Sequence, residues 1–338
     1  MDAEGHLIKK IARAIPSAGS AKNSSGLWLG IGDDAAIFAP SKGCEMVFSC
    51  DAFLEGVHFL VGSHPAESVG YKSLVRASSD LAAMGARPRF FLMTLAIPAS
   101  RTGAWLDGFL GGMRRAARET GMTLAGGDTT RSRAAVSVSI TVAGEVRKGR
   151  ALKRRGAQPG DSIYVSGKLG LAQLGLELLL HGFGRDGRLR AAIKPHLYPQ
   201  IRLQLGAWLA ERRIASAMMD LSDGLSSDLP RLCEASGVGA RIWENRLPCA
   251  TIPAGVSLNA RRKLHLDPLR LALDGGEDYQ LLFTVPHRNV QLLKNAPEAK
   301  DLHLIGEITS GEGILLGRAG GTFAPIPSRG WDPFRGKT

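Results

Sequence analysis

Met219-Asp220-Leu221-Ser222-Asp223-Gly224-Leu225-Ser226-Ser227-Asp228-Leu229 changes its hydrophobic period part-way along. The apolar residues before Asp220 suit a buried strand, Gly224 suits a tight turn, and Leu225 and Leu229 share one face of a helix. The acids therefore fall where a strand passes into a helix, and turns of this kind face ligands. Asp220 and Asp223 there can hold cations while Ser222 and the helix amides meet a phosphate. An ordinary helix cap explains the same residues, since Ser and Asp are preferred at N-caps in any protein. What separates the two readings is repetition.

Gly32-Asp33-Asp34, Gly126-Gly127-Asp128 and Gly275-Gly276-Glu277-Asp278 repeat the pairing of acid with glycine, and Asp51 and Asp80 are outlying acids at a strand end and in the last turns of a helix. The chain carries 43 Lys and Arg against 31 Asp and Glu, so acids gathered beside glycines at strand ends stand out. A polyphosphate site with several Mg²⁺ ions needs this combination. Magnesium takes oxygen ligands and bridges carboxylates to phosphates, while glycines let backbone amides approach.

With 338 residues, 44% of them hydrophobic, the chain can bury a sizeable core, and its length favours two domains. The polar, basic stretch 148–159 marks a boundary, giving domains 1–149 and 150–338. Strands are expected at 46–51, 90–97, 122–125, 136–142, 162–165, 239–243, 280–285 and 302–308. Helices are expected at 6–15, 65–84, 104–120, 171–180 and 199–213, and an exposed loop at 182–190. The formal charge of +12 is spread over short, scattered basic runs, and only 6% of residues are aromatic, so a nucleic-acid platform is not indicated. The 4 cysteines lack zinc or disulfide-scaffold spacing, no apolar run is long enough to cross a bilayer, and the N-terminus carries no signal pattern. A cytoplasmic protein is expected.

Familiar phosphate motifs are absent. The tail Gly336-Lys337-Thr338 mimics the end of a P-loop, but the earlier glycine that motif requires is Trp331 here. The pattern that does match is longer. Gly30-Ile31-Gly32-Asp33-Asp34-Ala35-Ala36, Asp51 with Glu55-Gly56-Val57-His58-Phe59, Ser79-Asp80-Leu81-Ala82-Ala83-Met84-Gly85-Ala86, Gly126-Gly127-Asp128-Thr129-Thr130, the 220–224 turn, Gly276-Glu277-Asp278-Tyr279 and the closing Arg329-Gly330-Trp331-Asp332 occur in order. Together they resemble the thiamine-monophosphate kinases of the aminoimidazole ribonucleotide synthetase superfamily.

The resemblance implies an α+β, two-domain aminoimidazole ribonucleotide synthetase-like fold with mixed sheets covered by helices. The first domain would bind ATP and Mg²⁺ and carry the dimer contact, and the second would complete the active site. It implies phosphorylation of thiamine monophosphate to thiamine diphosphate by ATP, several Mg²⁺ ions, and a cytoplasmic homodimer without nucleic acid or membrane. By the same resemblance the metal ligands are Asp34, Ser49, Cys50, Asp51, Asp80, Asp128, Asp220 and Asp223, with Asp51, Asp128 and Asp220 as the catalytic acids. Gly127, Asp128, Arg150 and Ser222 would contact the nucleotide, and His58, Glu277 and Trp331 the thiamine. Cys50 departs from the family's usual Thr, so its backbone carbonyl is the better oxygen donor there. An amidine cyclase of the same superfamily and a non-catalytic nucleotide or nucleic-acid binder are the competing readings.

Overall fold

Phe91, Met93, Leu95 and Ile97 on one strand and Val138, Ile140 and Val142 on its neighbour are all buried, as period-two spacing requires when one sheet face is covered. The structure, a computed structural model, describes residues 3–16, 26–293, 301–318 and 320–334, so the 336–338 tail lies outside the described residues. It divides into two compact units, residues 1–81 with 86–149, and residues 82–85 with 150–338.

The first unit runs α1 Ala3–Ala14, β1 Leu27–Leu29, β2 Ile37–Phe38, β3 Cys44–Leu54, α2 Ala66–Ala83, β4 Arg87–Ile97, α3 Ala104–Thr120, β5 Thr123–Arg131 and β6 Ser137–Arg147. Its four long strands form a sheet in the order β3-β6-β4-β5, with β4 and β5 parallel and the other pairs antiparallel. Helices α2 and α3 cross with their backbones almost touching. A Cβ on Gly70 would lie 1.9 Å from the Phe109 carbonyl oxygen, and one on Gly112 only 1.8 Å from that of Glu67. That approach buries Leu74, Leu106, Phe109 and Met113. The opposite sheet face is open, with Phe48, Cys50, Leu92 and Thr94 exposed on it. The strand expected to stop at Ala125 continues, because parallel pairing with β4 carries β5 through Gly126 and Gly127 to Arg131.

The second unit runs β7 Ser162–Val165, α4 Leu171–Leu180, α5 Arg190–Leu197, α6 Leu203–Glu211, β8 Ala217–Asp220, α7 Leu225–Ser236 and β9 Gly239–Trp243. There follow α8 Leu258–Lys263, α9 Pro268–Asp274, β10 Leu281–Val285, α10 Val290–Leu293, β11 His303–Thr309, β12 Ile314–Gly317 and β13 Phe323–Pro325. The seven strands lie in the order β13-β12-β9-β11-β7-β10-β8, with β12 parallel to β9 and the remaining neighbours antiparallel. On one face Ile163, Val165, Met219 and Leu282 pack with Leu225, Leu229 and Leu232 of α7. On the other, Tyr164, Met218, Leu281 and Phe283 pack with Leu205 and Leu209 of α6. Strands covered on both faces are apolar throughout, which is why 162–165 and 281–285 do not alternate. The expected exposed loop at 182–190 instead holds two short 3₁₀ turns and buries Leu189. The four-stranded and seven-stranded sheets are both mixed and packed against helices, in keeping with the α+β class. Among the described residues no helix is long and apolar enough to cross a membrane.

Candidate active site

Alternation along β3 turns Ser49 and Asp51 toward α2, where Asp80 and Arg76 stand one helical turn apart. Two rungs result. Ser49 Oγ donates to Asp80 Oδ2, and Arg76 Nε donates to Asp51 Oδ2 at 3.2 Å. The Arg76 guanidinium also lies 5.5 Å from the centre of the Phe53 ring. Cys50, between the two rungs, faces the open side of the sheet, where Thr141 Oγ1 donates to its sulfur at 3.3 Å and Ser139 Oγ lies 3.5 Å away. Its thiol is therefore not beside Ser49 and Asp51.

Cross-strand pairing sets Asp51, Ile140, Met93 and Gly127 in one row, so Asp51 and Gly127 occupy opposite edges of the four-stranded sheet. Gly127 has φ +151°, and a Cβ there would sit 1.9 Å from the Met93 carbonyl oxygen, so glycine is required. Asp128 beside it is exposed, as are Asp33 and Asp34, with the Asp34 amide donating to Asp33 Oδ1 at 2.9 Å. His58 Nδ1 accepts the Leu54 amide at 3.0 Å, which fixes the proton on Nε2 in the neutral ring. The loop carrying His58 is anchored by Glu55, whose Oε2 accepts from Arg101 Nη1 and, at 2.7 Å, from the Val136 amide. The Arg101 hydrogen bond holds the Glu55 carboxyl below its ordinary value.

In the second unit β8 ends at buried Asp220, and the turn after it closes on an acid from the following helix. Asp228 Oδ2 accepts the amides of Ser222, Asp223 and Gly224 at 3.0, 3.0 and 3.2 Å, and its Oδ1 accepts from Arg231 Nη1 at 2.7 Å. Arg231 Nη1 also reaches Asp223 Oδ2 at 2.5 Å. The N-cap of α7 is Gly224, with no side-chain cap. One reading thereby changes: neither Ser222 nor Asp223 caps the helix, and the amides of the turn itself are taken by Asp228. Burial pushes the Asp228 carboxyl up to about 6, against the opposing pull of those amides and of Arg231.

Two remote segments are bound to this turn. The Glu277 amide donates to the Ser222 carbonyl at 2.8 Å and the Tyr279 amide to that of Leu221 at 2.9 Å. Glu277 and Tyr279 have φ of 66° and 48°, a left-handed backbone that is strained for residues other than glycine. Glu277 Oε2 lies 3.4 Å from Nδ1 of buried His196. From the other side the Trp331 amide donates to the Asp223 carbonyl at 2.9 Å, and the hydroxyls of Ser227 and Ser328 are 3.0 Å apart. Asp278, by contrast, points inward: its Oδ2 and Oδ1 accept the amides of Gly170 and Ala172 at 2.5 and 2.9 Å, capping α4. Burial pushes that carboxyl up to about 7 while the amides pull it down. Arg150 is half-buried at the start of this unit.

Cys50 apart, the expected metal donors are hard oxygens, the chemistry magnesium prefers. Among the described residues no three His, Cys, Asp or Glu side chains gather as a ready cage, and the expected donors fit magnesium by their chemical type. Sequence reasoning overlooked Arg76, Asp228 and His196. For Arg76 the signal was present, since it precedes Asp80 by one helical turn on the same face. Nothing local announced the other two.

Residues 32–146 match the family model of the AIR synthase related protein N-terminal domain, and residues 158–316 that of its C-terminal domain. Both halves of an AIR synthase related protein are thus present. The chain is 36% identical over 280 residues to Thiamine-monophosphate kinase of Bacillus subtilis, covering 82% of each. A crystal structure of Thiamine-monophosphate kinase from Stenotrophomonas maltophilia matches with a TM-score of 0.78 at 35% identity, covering 93% of this chain and 96% of that one. AaThiL complexed with AMPPCP and TMP matches with a TM-score of 0.75 at 33% identity, over 90% of this chain and 92% of that one. The chain belongs to the thiamine-monophosphate kinase family.

Proposed function

We propose that this chain transfers the γ-phosphoryl group of ATP to thiamine monophosphate, releasing thiamine diphosphate and ADP as the final step in making that cofactor. One observation carries the assignment of the thiamine end. Glu277 and Trp331, remote in sequence, are both tied by their main chains to the 220–224 turn. An indole face and a carboxylate are what a cationic thiazolium with an aminopyrimidine needs, through stacking, cation–π attraction and charge-assisted hydrogen bonding. His58, its Nε2–H fixed as a donor, is assigned to the same ligand. Gly127, Asp128, Arg150 and Ser222 are assigned to the nucleotide.

The acceptor is a phosphate oxygen that is already ionised, so no side chain has to remove a proton before attack. What opposes reaction is the repulsion of two anions, and the protein's task is to align and neutralise them. Arg150 brings positive charge to the nucleotide. Asp34, Ser49, Asp51, Asp80, Asp128, Asp220 and Asp223, with the Cys50 carbonyl, would hold Mg²⁺, which when bound supplies Lewis-acid neutralisation of the phosphates. Asp51, Asp128 and Asp220 are the acids assigned to catalysis.

Use of ATP and free thiols is consistent with a cytoplasmic enzyme. We also assign a homodimer, supported by the open sheet face with Phe48 61% and Leu92 36% exposed. Light scattering on the purified protein tests it; a monomer at micromolar concentration removes the assignment. For the activity the test is ADP release with Mg²⁺ and ATP, with and without thiamine monophosphate. Release that depends on thiamine monophosphate, with thiamine diphosphate formed in equal amount, supports the assignment. Release that ignores it removes the assignment.

A further inference from the structure

The two rungs between β3 and α2 are chemically unequal. In one, a neutral hydroxyl on Ser49 donates to Asp80. In the other, a guanidinium that cannot lose its proton donates to Asp51, with the two side chains only 16% and 28% exposed. Phe53 supports the guanidinium from a second direction, 5.5 Å from the ring centre, so Arg76 is placed for this contact. We propose that Arg76 is a tethered cation on Asp51, and that Asp51 accepts a divalent ion only when this guanidinium is displaced. The proposal rests on the assignment of Asp51 as a metal ligand made above.

The physical reasoning is competition for one carboxylate. Arg76 Nε occupies a lone-pair direction of Oδ2, and its fixed positive charge repels any cation approaching the same group through a partly buried, weakly screened environment. Ser49 brings Asp80 a hydrogen bond but no charge. The attraction of Asp51 for a divalent ion should therefore be offset by the fixed charge beside it. One consequence is that this chain needs more free metal to fill the Asp51 position than its acid count implies.

Mn²⁺ serves as the probe, with free ion counted by its aqueous electron paramagnetic resonance signal during titration of the full chain without nucleotide. Arg76→Met, whose side chain can still rest on Phe53, and Arg76→Gln, which keeps a polar donor but no charge, are each expected to bind Mn²⁺ about tenfold more tightly or to bind one more ion. Arg76→Lys is expected to behave like the parent. Unchanged isotherms in both Met and Gln variants, with parental melting curves, overturn the proposal. So does a gain that survives Asp51→Asn in the Arg76→Met background, because it cannot then act through Asp51. If Asp51→Asn lowers Mn²⁺ binding while Arg76→Met gains nothing, the metal assignment stands and the tethered cation alone falls. If Asp51→Asn changes Mn²⁺ binding in neither background, the metal assignment of Asp51 falls first and the proposal with it.

Discussion

The Trp331 amide and the Asp223 carbonyl meet at 2.9 Å, so the segment that brings the indole is fastened through its main chain. Trp331 is nonetheless 46% exposed. Its role can therefore be separated from that of the backbone that positions it.

Trp331→Ala should keep the fastening and lose the indole face. The Michaelis constant for thiamine monophosphate should rise roughly tenfold, about 1.4 kcal/mol, with the ATP constant nearly unchanged. Kinetics with each substrate varied, beside a melting curve, checks this. A lowered melting temperature with equal damage to both constants would assign Trp331 to packing instead.

Glu277 combines a strained backbone with a carboxylate assigned to ligand binding. Glu277→Gly relieves a φ of 66° and removes the carboxylate in one step. Stability should stay level or rise by up to about 1 kcal/mol, while the Michaelis constant for thiamine monophosphate rises. Denaturant melts and kinetics on the same preparation read both effects. A destabilised variant would show that the carboxylate, through His196, holds the fold.

Gly127 leaves no room for a methyl group, with the Met93 carbonyl oxygen 1.9 Å from where it would lie. Gly127→Ala should push β5 away from β4, costing on the order of 2–4 kcal/mol and raising the ATP Michaelis constant. Thermal melting and ATP kinetics test it, and parental values in both would mean that the strand edge yields at no cost.

Glu55 provides the pH test. Its folded pKa lies below the ordinary value because of the Arg101 hydrogen bond, so its stabilisation is present above the unfolded pKa of about 4.3 and is lost as pH falls through the folded value. The stability difference between the parent and Glu55→Gln should be largest near neutral pH and shrink progressively below about 4.3. Urea unfolding of both proteins across this range measures it. A difference that does not change with pH would show that ionisation of Glu55 is not the stabilising factor.

Segments with long, unbroken periodicity were legible. Helix α3 begins at Ala104 and ends at Thr120 as expected, with Gly121 at φ 71° stopping it, and β7 occupies residues 162–165 as read. Legibility failed where the partner is distant or the backbone overrides a residue's habit. Glycines at 126 and 127 suggest a turn, yet pairing with β4 keeps them extended. Ser222 and Asp223 suit a cap, yet Asp228 takes the amides of the turn. Asp278 sits beside Glu277 in one cluster, but the two point to different tasks, and nothing local tells them apart. The short helices at 258–274 lack enough turns for a period to emerge.

Strand β7 opens the second unit and yet lies deep in its sheet, between β11 and β10, which begin at residues 303 and 281. During synthesis it leaves the ribosome with no strand for either edge. The first unit's sheet, by contrast, has all its strands once Arg147 has emerged. Ile163 and Val165 must wait, unpaired, for more than a hundred further residues, and the N-terminus of α4 waits equally for Asp278. A chain stalled or truncated ahead of residue 281 would present a bare apolar strand with two open edges, a template for aggregation and a natural substrate for chaperones.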